Sequence, residues 1–186
     1  MLCVQSCIVA DPPEYRIPVQ TRPVLNQFKA TPDPTKVLVI YTTGRSGMPT
    51  VGASFNVPVR SEDAGEDLRA ILFLDYQVPR PEGATSSNKG QSKIISQKID
   101  ASTFSSTGRA FAYPWVPDSA NVSQGCHFVT LIVAHRGSFQ GNDEDRLDPS
   151  KAAEDAAFLT WTVNVDPPTD AVNNLINCPT STSTAQ

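Results

Sequence analysis

The chain has 186 residues, a formal net charge of -4 and 16 prolines. Its length suits one domain with flanking tails, since domains centre on roughly 100–150 residues. Its 15 basic residues, Arg60, Arg69, Arg80, Lys89, Lys93 and Lys98 among them, are dispersed among acids, without the basic stripe of a nucleic-acid binder, so no nucleic-acid partner is expected. No run approaches the length of apolar sequence that a membrane-spanning helix needs.

In chain order, Met1 to Ser6 is too short to be a whole signal peptide. Either the protein is cytoplasmic, or only the end of a leader is present. Val4-Gln5-Ser6-Cys7 resembles a bacterial lipobox, although such motifs usually place a small residue where Gln5 stands. The resemblance implies lipidation of Cys7; an ordinary thiol is the alternative. Residues 1–7 are therefore read as residual signal and lipobox.

Residues 8–35 read as a Pro-rich tether, with Pro12, Pro13, Pro18, Pro23, Pro32 and Pro34. Proline fixes φ and removes an amide donor, which favours extended, polyproline-like chain over sheet or helix. At about 3.1 Å per residue such a segment holds a head some tens of ångströms off a surface.

The head, residues 36–166, carries strand signals. Val37–Tyr41 is a short β-branched run. Ser54–Arg60 alternates, with Phe55, Val57 and Val59 on one face, and Pro58 on the other marks an edge strand or a bulge. Leu68–Val78 is apolar on both faces, as in a central strand. Ser92–Ile99 and Arg109–Trp115 are weaker candidates. In Cys126–His135, His127, Val129, Leu131 and Val133 alternate with Phe128, Thr130 and Ile132, and Ala157–Val165 closes the set. Seven short strands between turn-rich loops predict an all-β antiparallel sandwich. Pro149–Ala156 is the one helical candidate, with Asp148 as its N-cap. Residues 167–186 form a polar C-terminal tail, expected to be disordered.

Gly125-Cys126-His127-Phe128-Val129-Thr130-Leu131-Ile132-Val133 resembles the sixth strand of bacterial Ig-like and PKD-type domains, with His127 where an aromatic residue is usual. The resemblance implies a seven-stranded Ig-like sandwich. It also implies that His127 packs under one end of the sandwich and hydrogen-bonds backbone. Antibody-type features, a Trp in the third strand and a Cys in the second, are missing. The overall plan is similar to that of an uncharacterised bacterial surface lipoprotein.

The four cysteines fall in two pairs of positions. If His127 and Val129 face inward, Cys126 faces outward at the start of its strand. The last strand returns antiparallel to the same end, and Cys178 follows within reach. A Cys126–Cys178 disulfide is expected in an oxidising compartment and two free thiols in a reducing one. The bond would stabilise by roughly 3–4 kcal/mol.

The chain lacks the Gly-x-Ser-x-Gly, Cys-x-x-Cys and His-Glu-x-x-His motifs and a Gly-rich phosphate loop, and no catalytic residue is assigned. Two acidic loops, Ser61–Asp67 and the acidic stretch Gly141–Asp148 of a long loop from Gly137 to Ala156, would lie side by side at one end of an Ig-like sandwich. Asp143, Asp145 and Asp148 there offer oxygen ligands for Ca²⁺, with solvated acidic loops as the competing explanation. Phe139 in the long loop is read as a plug over the core, with an exposed contact as the alternative, and Trp115 as a cap on its end, with stacking on a sugar as the alternative. Asn121-Val122-Ser123 matches a glycosylation sequon.

The sequence thus points to a non-enzymatic envelope lipoprotein with a structural or binding role. Its membrane attachment would be by lipid anchor only, at the outer membrane or surface, and its partner a protein or glycan at the cell surface. No cofactor is implied beyond calcium. The alternatives are a calcium-stabilised adhesion or carbohydrate-binding domain, and an enzyme accessory or inhibitor domain.

Overall fold

The computed structural model describes residues 21–43, 50–63, 65–76, 92–101, 109–140, 143–148, 151, 154–167 and 178, without the side chains of 143–146. Cys7 and the first part of the tether lie outside them, as does the tail apart from Pro167 and Cys178. Ten strands are present among the described residues: β1 (Val24–Leu25), β2 (Leu38–Ile40), β3 (Ala53–Arg60), β4 (Leu68–Leu74), β5 (Ser92–Ile99), β6 (Arg109–Trp115), β7 (Gly125–His135), β8 (Phe139–Gln140), β9 (Asp143–Leu147) and β10 (Ala157–Val165). Seven of them fall on the segments that the sequence marks as strands.

Two sheets, ordered β1-β3-β6 and β2-β10-β7-β4-β5, share one core. Phe55, Val57, Val59, Phe111 and Trp115 from the smaller sheet meet Leu68, Leu72, Leu131, Trp161 and Val163 from the larger. Alternation decides which side chains enter, because successive strand residues point to opposite faces. The Phe55 and Trp161 rings meet edge to face at 4.7 Å, a geometry aromatic quadrupoles favour.

The sheets are not wholly antiparallel, because β2 runs parallel to β10, with Val39 opposite Asn164. An expectation from Pro58 also changes. Strand β3 is the middle of its sheet, not an edge. On that side Asn26 N–H donates to the Pro58 carbonyl and Thr31 exchanges both backbone bonds with Asn56. Between them the neighbouring chain leaves the ladder as a 3-10 turn at Gln27–Lys29, so the donor that proline lacks has no strand to serve.

The same contacts bear on the tether. From Thr21 onward this segment lies on the head: β1 pairs with β3, and the Trp161 indole N–H donates to the Pro32 carbonyl at 2.8 Å.

A second, smaller core lies on the outer face of the larger sheet. Ile71, Phe73, Ile132 and Ala134 point away from the main core and are covered by Phe139, Leu147 and Ala156. The β8–β9 hairpin and the chain after it supply this cover, which explains why β4 is apolar on both faces. Phe139, 7% exposed, is the plug its composition implied. Lys151, Glu154 and Asp155 are helical, while Pro149 lies outside the described residues.

Candidate functional site

Strand β7 ends in a histidine pair. His127 and His135 share the inward parity of Val129, Leu131 and Val133, so alternation carries one to each end of the core.

At the first end, β4 stops at Leu74 and Asp75 turns the chain at φ 54°. Aspartate tolerates this left-handed conformation better than most residues. Its Oδ1 accepts the Phe128 amide at 2.9 Å, and its Oδ2 lies 2.7 Å from His127 Nδ1. His127 Nε2 lies 2.8 Å from the Ser123 carbonyl and 3.4 Å from Ser123 Oγ. Serine, histidine and aspartate therefore stand in the order of a hydrolase triad. Their hydrogen-bond directions argue against that chemistry. A carbonyl can only accept, so Nε2 carries its hydrogen and has no lone pair for the Ser123 hydroxyl. Burial lowers the His127 pKa, but the bonds to Asp75 and the Ser123 carbonyl and the Asp75 charge outweigh it and raise it above its ordinary value of 6.5. These contacts favour the protonated ring, in which both N–H groups donate, and they suit a clamp rather than a base.

Beside this clamp the two sheets part around a cavity of about 560 Å³. Strand β5 contributes Lys93 and Ile94, β6 contributes Tyr113 and Trp115, and the following loop brings Asp118 and Asn121. Trp115 is 6% exposed and closes the core, as its position between prolines implied. Gly125, at φ 123°, starts β7 in a conformation that side-chain-bearing residues rarely adopt. Cys126, next to it, points outward and is bonded to the buried Cys178, with Cα atoms 5.5 Å apart. The expected staple is thus in place at this end.

At the other end His135 is fully buried. Its Nδ1 and backbone N–H face the two carboxylate oxygens of Asp155 at 2.5 and 3.0 Å, and Ser138 Oγ also donates to that carboxylate. Its Nε2 lies 3.3 Å from Asp63 Oδ2 but outside hydrogen-bond geometry. Asp63 in turn accepts from the backbone and hydroxyl of Thr21. The buried Arg109 donates to the carbonyls of Glu66 and Asp63 at 2.6 and 3.1 Å.

This is where the two acidic loops meet. Asp63 from the first and Asp155, beyond the acidic stretch of the second, close around an imidazole, with a guanidinium holding the first loop's backbone. Asp67 is engaged elsewhere: bonds from Lys98 and the Ala101 amide hold its carboxyl below the usual carboxylate range. Of the three proposed calcium ligands, Asp148 is half-buried beside Arg69 and Arg136, and its amide donates to the Ser138 carbonyl. The side chains of Asp143 and Asp145 lie outside the described residues. Among the described residues no group of three or more His, Cys, Asp or Glu side chains is arranged to hold a metal ion.

The Asp63–His135–Asp155 cluster was missed by motif reading, although the parity of His135 already placed it inside. No protein-family model, curated protein or solved structure matches the chain.

Proposed function

We propose that this chain is a non-enzymatic binding domain of the cell envelope, an Ig-like sandwich attached to a membrane through a lipidated Cys7. The observation that carries the reading is the Cys126–Cys178 disulfide, which joins the chain beyond the last strand to the sheet. Such bonds persist in oxidising, extracytoplasmic compartments and are rare in a reducing cytosol. The commitment of both His127 nitrogens supports a binding role over hydrolysis. The cavity beside it, lined by both aromatic and hydrogen-bonding side chains, is the natural seat for a protein loop or glycan at the cell surface.

Intact mass of protein purified from its native host without reductant tests the reading. The expected species lacks residues 1–6, carries acyl chains on Cys7 and is two protons lighter than the reduced form. A full-length, unmodified, reduced mass would overturn it.

A further inference from the structure

The first described residues of the chain form a surface of unusual composition. Phe28, in the 3-10 turn after β1, is 92% exposed, Val24 is 60% exposed, and Phe158 of β10 is 46% exposed. These three side chains line one open groove of about 640 Å³ together with Arg22 and Arg60, and among the described residues no acidic one lines it. Lys29 follows Phe28 directly and is exposed. Neither Lys29 nor Arg60 forms an ion pair with another described residue. On a chain of formal charge -4, cations here surround apolar side chains that water-facing positions do not require.

We infer that this face docks on an anionic phospholipid surface, with Phe28 and Val24 inserted at the headgroup boundary and Lys29 and Arg60 against lipid phosphates. Exposed apolar side chains ringed by Lys and Arg are the composition of interfacial anchors. The location adds a second argument, which rests on the lipid-anchor reading. Thirteen residues lie between Cys7 and Thr21, a covalent reach of at most about 50 Å. The chain enters the head at Thr21, beside the groove, so an anchor at Cys7 would keep this face nearer the bilayer than the His127 cavity. Tethering on that scale gives an effective concentration in the millimolar range, so even a weak face would be occupied.

The test uses the full chain carrying Cys7→Ser, so that acylation plays no part, in co-sedimentation with phosphatidylcholine vesicles with and without phosphatidylglycerol. The wild-type face should bind the anionic vesicles, and more weakly as salt rises. Lys29→Gln with Arg60→Gln should lower binding by about 25-fold, at about fivefold per cation. Phe28→Ala should lower it several-fold, while Val116→Ala, an exposed apolar side chain beside the other cavity, should leave it unchanged. No binding to anionic vesicles, binding indifferent to these substitutions, or protection of Phe28 by a soluble protein instead would overturn the assignment. Because the variant cannot be acylated, failure here leaves the mass test of the anchor standing on its own, and the converse holds.

Discussion

Strand β7 carries His127 at its first inward position and His135 at its last, each against an aspartate, yet the two ends are built differently. Around His127 both ring nitrogens have well-directed acceptors, the clamp borders an open cavity, and a disulfide reinforces the strand from outside. Around His135 the imidazole is sealed from water, Asp155 gathers the bonds, and one ring nitrogen is left without a well-directed partner. One end spends its polar groups beside solvent, where a ligand can reach them. The other uses them to tie the 61–67 loop, the helical turn at Asp155 and the entering chain at Thr21 to the same point.

The contrast can be tested in order of expected effect. Asp155→Ala should be the most damaging change, because it leaves a buried imidazole, a backbone amide and Ser138 without their acceptor. Breaking such a pair costs about 3–5 kcal/mol, and thermal unfolding should show a fall in Tm of about 10 °C or more. A fall of only a few degrees would mean that water reaches this end. Cys178→Ser should cost roughly 3–4 kcal/mol at the opposite end, but only without reductant. With dithiothreitol the wild-type and variant melting curves should coincide.

The next effect depends on pH. The fold favours protonated His127, so its contribution is fully present below the unfolded value of 6.5 and is lost as pH rises through the higher folded value. Tm should therefore decline as pH is raised from 6.5 into the alkaline range. His127→Gln should flatten that decline, and an unchanged slope would show that another group sets it. Ser123→Ala should matter least, within about 0.5 kcal/mol of wild type, since it removes a 3.4 Å contact alone. A fluorophosphonate probe should leave Ser123 unlabelled, and labelling would reverse the non-enzymatic reading.

Most of the strand framework was legible because β3, β6 and the first halves of β7 and β10 bury one face, so their alternation is written into adjacent residues, while β4 shows as a run apolar on both faces. The outward Cys126 and its partner followed from the same parity. What escaped was set by distant pairing. Val24–Leu25 is too short to show a period, and prolines around it masked its pairing with β3. Parallel pairing of β2 with β10 has no local signature in Leu38–Ile40. Nor did the acidic loops reveal which carboxylates would be buried. Asp63 and Asp155 lie among other acids that look alike in sequence, and only the fold brings them to His135.

The position of β10 has a consequence for the order of events in a cell. This strand lies between β2 and β7 and brings Trp161 into the middle of the core, yet among the described residues it is the last strand in sequence. A polypeptide delivered N-terminus first can close neither the larger sheet nor the main core until Val165 has emerged. Cys126 must wait still longer for its partner. The larger sheet, the main core and the covalent staple are therefore all completed by late-arriving residues, β10 for the first two and Cys178 for the third.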